Sequence, residues 1–347
     1  MPRGPKGGRA NMARMLSASL FTAVIFALSP SDAQTPDPAA AETQGEPDAE
    51  AAFKLGIKFY KGDGVARSPE EATKWFRRSA EQGFAKGQAA LAYSYEQGIG
   101  VEANLALAAE WYRKAAAQGL AAAQESLGVL YENGGGVPQD YAQAALWLGM
   151  AAQQGDARAE DELGDMYFYG EGFAESDEEA MKWYRKAADQ GLASAQESLG
   201  FILQYSETVP HDLPEAARWY RLAADKDDAE AEFELAGLYR DGVGVEKNLL
   251  EAYRWYSRVA PSDDYSRRDE VIAELYSLAD KLPEGTKLDP PLPPESLKLW
   301  LQRAWDRAAV PTIVGMFALL VGIGLTVSLS KIVREKSKRL RDKRPSG

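Results

Sequence analysis

Cysteine is missing from this 347-residue chain, and histidine occurs once. The first absence excludes disulfides, thiolate zinc sites and a cysteine nucleophile. The second leaves His211 as the sole imidazole for a Ser/His/Asp relay, and its neighbours Pro210 and Asp212 offer no nucleophile. Asparagine is scarce: Asn11, Asn104, Asn133 and Asn248 are all there are, and none begins an Asn-x-Ser/Thr sequon. Positive charge is scarce where phosphate binding would need it. Residues 34–307 carry 28 Lys and Arg against 49 Asp and Glu, which argues against a nucleic-acid partner.

What is present is a period. Trp75, Trp111, Trp147, Trp183, Trp219 and Trp255 stand 36 residues apart, six of the eight tryptophans in the chain. A period of this size is the signature of stacked repeats. Within each period two helices are expected. In the first, Leu55, Leu91, Leu127, Leu163, Leu199 and Leu235 are each followed by Gly or Ala. Four places on come Phe59, Tyr95, Tyr131, Tyr167, Leu203 and Tyr239, giving one buried helical face. A glycine turn follows, as in Gly62-Asp63-Gly64 and Gly98-Ile99-Gly100, where positive φ is needed. It is no phosphate loop, since neither a preceding strand nor a following Lys-Ser/Thr accompanies it. The second helix opens on Ser68, Asn104, Asp140, Ser176, Asp212 and Asn248, all good N-caps. Ser68 with Glu71 predicts a reciprocal capping box. Gly83, Gly119, Gly155 and Gly191 close the helix, and Arg268–Leu282 reads as a capping helix.

Two stretches, Ala121 to Val137 (Gln124, Leu127-Gly128, Tyr131, Gly134, Gly136) and Ala180 to Gly191 (Trp183-Tyr184-Arg185-Lys186-Ala187-Ala188, Gln190), closely follow one family pattern. The chain resembles the Sel-one-like repeat family, relatives of the tetratricopeptide repeats, over about residues 50–282. The resemblance implies an all-α, right-handed superhelical solenoid acting as a protein adaptor or scaffold, without a cofactor. Some cysteine-rich relatives were linked to β-lactam binding, but their cysteine pairs are absent here. Two repeats depart from the pattern: repeat five replaces the glycine turn by Ser206 to His211, and repeat three carries Leu148-Gly149-Met150 in place of Tyr-Arg-Lys.

In such a solenoid the first helices line the inner surface. Positions −2, +2 and +5 from each Leu turn away from the buried face and are expected to line a groove. The candidate partner-binding residues are Phe53, Ile57, Tyr60, Tyr93, Val129, Asp161, Asp165, Phe168, Phe201 and Phe233. Aromatics mixed with carboxylates suit an extended or helical peptide with apolar anchors and some Lys or Arg. Aromatics at these places also serve to pack neighbouring repeats, and Asp161 with Asp165 also reads as a solvated acidic face.

The ends read differently. Residues 1–33 have the basic, apolar and small-residue layout of a secretory signal, cut after Ala33 or retained as an anchor. Residues 34–49 are a spacer rich in Pro, Ala and acids, and 283–294 a proline-rich linker. Residues 295–307 predict an amphipathic helix with Trp300 and Trp305 at headgroup level. Residues 308–330 are uncharged and long enough to span a bilayer, with Gly315, Ala318 and Gly322 on one face. The basic tail 331–347 then belongs in the cytosol by the positive-inside rule. Signal and tail agree on an exported array, expected in a bacterial periplasm on the inner membrane. The expected role is to bind a protein or peptide there, as scaffold or regulator of a signalling or envelope assembly. An envelope hydrolase or glycan-acting protein using groove carboxylates is the alternative of another class. A lumenal adaptor of an endoplasmic reticulum quality-control complex shares the same layout.

Overall fold

A computed structural model describes residues 48–260, 267–283 and 285–288. The signal segment 1–33, nearly all of the spacer, the stretch 295–307, the span 308–330 and the tail 331–347 lie outside the described residues. Among the described residues the chain is an all-α solenoid of thirteen helices with no strand. Six hairpins follow in order: α1 Ala49–Lys61 with α2 Pro69–Glu81, α3 Ala85–Gln97 with α4 Leu105–Ala117, and α5 Ala121–Asn133 with α6 Tyr141–Ala152. Then come α7 Ala157–Tyr169 with α8 Asp177–Asp189, α9 Ala193–Tyr205 with α10 Leu213–Ala224, and α11 Ala229–Asp241 with α12 Leu249–Val259. Helix α13, Arg268–Ala279, packs on α12 and closes the stack.

Local chemistry sets each boundary. All six expected N-caps form, the side chain accepting from a backbone N–H of the first turn. The capping box at Ser68 is only half made. Ser68 accepts from the Glu71 N–H, but its own N–H donates to Phe59 O at 3.0 Å, so Glu71 pairs instead with Lys74. That second bond recurs at every repeat: Asn104 N–H to Tyr95 O, Asp140 to Tyr131, Ser176 to Tyr167, Asp212 to Leu203 and Asn248 to Tyr239. It pins the start of each second helix to the end of the first. The glycine turn then docks on the preceding repeat. A Cβ on Gly100, at φ +65°, would stand 2.2 Å from Pro69 O, so only glycine fits.

The deepest side chain is not the tryptophan but the residue after it. Phe76, Tyr112, Leu148, Tyr184, Tyr220 and Tyr256 are essentially fully buried, whereas five of the six periodic tryptophans are half-buried. The small residue after each leucine makes room for it: a Cβ on Gly56 would meet the Phe76 ring at 2.5 Å, and one on Gly164 the Tyr184 ring at 2.5 Å. Tryptophans of the other repeats instead form lids carrying a cation, as with Lys114 over Trp111 at 3.8 Å and Lys186 over Trp183 at 3.7 Å, whereas α6 around Trp147 has no charged side chain.

Repeats are stitched by a polar ladder. Gln118 donates to Gln88 at 2.7 Å, Gln154 to Gln124 at 2.7 Å and Gln190 to Glu160 at 2.7 Å. Further on Lys226 donates to Gln196, and Arg258 pairs with Glu232 at 2.7 Å. Gln88, Gln124 and Gln196 also donate to the final-turn carbonyls of Ala80, Ala116 and Ala188. With Glu232 no such donor exists, and Arg258 reaches Ala224 O itself at 3.0 Å. The departure of repeat five is likewise compensated. Ser206 and Thr208 donate to Asp177 at 2.6 and 3.3 Å, and a ring nitrogen of His211 bonds Ser206 O at 2.7 Å. The sole histidine thus serves this turn.

Candidate partner-binding groove

Successive first helices approach one another, α1 with α3 and α5 with α7. This closeness alters the face expected to be open. Phe53, Ile57, Tyr93, Phe168 and Phe233 are buried, while Tyr60, Val129, Asp161, Asp165 and Phe201 keep partial exposure. The physical reason is that the buried side chains are covered from two sides, by the second helix of their own hairpin, as Phe53 is by Phe76 and Phe233 by Tyr256, and by the start of the next repeat. Phe53 packs edge-on to Phe84, Phe168 on Phe201, and Arg267 lies over Phe233 at 3.5 Å. The structure therefore divides the ten candidates into a buried set that sets the spacing of repeats and a partly exposed set that lines the surface.

Apart from Tyr60 on α1, the partly exposed set gathers on α5, α7 and α9. Asp161 and Asp165, one turn apart on α7, are both engaged as acceptors. Ser194 donates to Asp161 at 2.7 Å and Tyr184 to Asp165 at 2.6 Å; Tyr112 donates likewise to Glu96 at 2.7 Å. These carboxylates brace one repeat against the next or one helix against its hairpin partner. Around them stand further acids: Glu96 and Glu125, at the +5 and −2 groove positions, and Glu162, which sequence reasoning did not single out. Burial, and then the nearby charges of Glu132, Asp165 and Asp161, hold Glu162 well above the ordinary carboxylate range. Glu125 is pushed up to about 8, chiefly by burial and then by Asp156, with Arg158 acting in the opposite direction. Glu96 is also raised by burial. Glu125, Asp156 and Arg158 line a cleft of about 310 Å³ with Ala122, Gln190 and Leu192, where α5 and α7 begin. Its sequence signal is the residue at Arg158, whose counterparts in neighbouring repeats are Ala122 and Ser194. Among the described residues no group of three or more potential ligands could hold a metal ion.

What such a surface does follows from its build: a curved row of helices presenting carboxylates and apolar side chains, repeated at a fixed spacing. Six consecutive stretches, 49–84, 85–120, 121–156, 157–192, 193–228 and 229–260, match the Sel1 repeat. The chain belongs to the Sel1 repeat family. Sel1 repeat proteins are generally scaffolds that bind other proteins. Among solved structures it is similar to a protective antigen of uropathogenic Escherichia coli with an SLR fold, at 32% identity and a TM-score of 0.64. That match covers 72% of this chain and 52% of the antigen, so the chain spans about half the antigen's length. A Sel1 repeat protein from Oxalobacter formigenes is 29% identical, TM-score 0.61, covering 69% of this chain and 70% of that one. No curated protein sequence matches.

Proposed function

We propose that this Sel1 repeat protein is a non-enzymatic scaffold that holds a protein segment along its first helices. The observation that supports this is the strip where Asp161 and Asp165 of α7 lie between the partly exposed Val129 of α5 and Phe201 of α9. Carboxylates flanked by apolar side chains complement a segment carrying Lys or Arg between apolar anchors. Because these acids are already held as acceptors from Ser194 and Tyr184, they are fixed in place before a partner arrives, which lowers the ordering cost of binding. We place the array in the periplasm, tethered to the inner membrane by residues 308–330 with the basic tail in the cytosol. There it regulates or assembles a membrane signalling or envelope complex.

The test is photo-crosslinking in cells, with the reactive residue at Val129 and at Phe201, and with controls at Lys182 and Arg254 on the second helices. One recurrent protein adduct at both groove positions, weakened by Asp161→Asn with Asp165→Asn, is the expected result. Adducts confined to the control positions overturn the groove. Topology is read separately: alkaline phosphatase fused after residue 288 is expected to be active, and fused after residue 347 inactive. The reverse pattern overturns the location.

A further inference from the structure

Repeat three departs from its sisters on the outer row of its second helix. At one position of that row the other repeats carry Lys74, Glu110, Lys182, Arg218 and Arg254; at the next they carry Arg78, Lys114, Lys186, Leu222 and Arg258. In α6 the two are Leu146 and Met150, 47% and 39% exposed. None of the twelve residues of α6 is charged. Large exposed apolar side chains grouped on one helix mark a contact surface more often than chance placement does.

Gly149 supplies a second observation. Most glycines within the first helices are needed: a Cβ on Gly56, Gly87, Gly128, Gly164 or Gly200 would come within 3 Å of a neighbouring side chain, and one on Gly237 would stand 3.8 Å from the Tyr256 hydroxyl. A Cβ on Gly149 would meet nothing within 4 Å. Glycine inside a helix costs about 1 kcal/mol relative to alanine, and nothing within the described chain requires it here. The sister residues Arg77, Arg113 and Arg221 each donate to a tyrosine hydroxyl of the next repeat. Gly149 gives that bond up, and Tyr167 instead stacks on Phe173 with ring centroids 4.2 Å apart. What α6 gains is a notch at Gly149, with Ala145 one turn back, between the two knobs Leu146 and Met150.

Knobs and notches on one helix are self-complementary, which points to the occupant. About a twofold axis crossing α6 near Leu148, an antiparallel second copy sets Leu146 against Met150 and offers each knob a notch. The charges on α4 obey the same symmetry. Glu110 and Lys114, exposed and one turn apart, flank Tyr112, the counterpart of Leu148. Each Glu110 then falls opposite Lys114 of the second copy. On the α8 side Lys182 and Lys186 fall opposite their own kind, and Glu179 at 2.6 Å from Lys182 offsets part of that repulsion. We propose that α6 is the centre of an antiparallel twofold contact between two copies of this chain, on the side away from the groove.

The absence of cysteine makes the test clean. Full-length protein carrying Leu146→Cys and Met150→Cys is oxidised in its native membrane, with Lys74→Cys and Arg254→Cys as single controls. A disulfide-linked band at twice the mass of the reduced chain, roughly tenfold above either control, is expected, since specific packing should outweigh random collision by at least this factor. Adding Gly149→Arg, the side chain found in sister repeats, fills the notch and should cut that band by about tenfold while circular dichroism shows an unchanged fold. No band above the controls, an adduct of another mass, or a band indifferent to Gly149→Arg overturns the contact.

Discussion

Among single residues, Glu125 has the clearest energetic signature. Its carboxyl is 6% exposed and prefers to stay protonated up to about 8, against an ordinary value of 4.5. Below 4.5 the folded and unfolded chains both hold the proton, so pH has no leverage through this group. Between 4.5 and about 8 the unfolded chain has released the proton while the folded chain keeps it, so stability falls as pH rises. Glu162 and Glu96 are raised for the same principal reason and act in the same direction. Unfolding measured at about pH 5 and about pH 9 should therefore show the wild-type array less stable at the higher pH. Glu125→Gln should recover about 1–3 kcal/mol at the alkaline end and close to nothing at the acid end. A basic partner segment lying over these acids would relieve the same penalty. Its affinity should therefore rise, with proton release, as pH increases through this window, a trend that calorimetry in buffers of different ionisation heat would measure.

Glycines that look alike in sequence divide by what lies beside them once whole elements are considered. Gly100→Ala forces a side chain into left-handed backbone and onto Pro69 O. It should cost about 3 kcal/mol or more and loosen the junction between the first two repeats. Gly149→Ala meets open space in a helix interior and should raise stability by about 0.5–1 kcal/mol. A loss of stability at Gly149→Ala, read by denaturant melts, would mean that α6 packs differently from the structure described. Substitutions within the polar ladder should likewise be coupled. Arg258→Gln strands the buried Glu232 and the Ala224 carbonyl together, so Arg258→Gln combined with Glu232→Gln should be less damaging than Arg258→Gln alone in a double-mutant cycle.

For the whole molecule the solenoid is a one-dimensional object, because each helix touches chiefly the helices before and after it. Stability is then a sum of repeats and interfaces, weakest at the ends. Helix α13 closes one end by burying Val271, Ile272, Leu275 and Leu278 against the last hairpin. Leu275→Ala should cost about 2–4 kcal/mol. Hydrogen exchange should show the loss concentrated in α11, α12 and α13, with α3 to α7 nearly unchanged. Uniform loss along the array would mean that the repeats unfold as one unit.

The sequence by itself determined the repeat, its two helices, its caps and its turns, because all of these are fixed by contacts within about ten residues. Six N-caps and the glycine turns could be read at that range, and they stand where the 36-residue period puts them. Other features depend on a neighbour a full repeat away, and only the tertiary structure decided them. The face carrying Phe53 and Phe168 points away from the leucine stripe of its own helix, yet it is buried, because Phe76 and Phe84 cover Phe53 and Phe201 of the next repeat covers Phe168. The altered turn of repeat five is visible in sequence, but how it is held is not: Asp177 of the preceding repeat accepts from Ser206 and Thr208. Gly149 stands out in sequence as a departure from the Tyr-Arg-Lys pattern, and only the space around it shows that no neighbour requires a glycine there. A periodic pattern specifies each unit, whereas the distance between units comes from the side chains that meet across it.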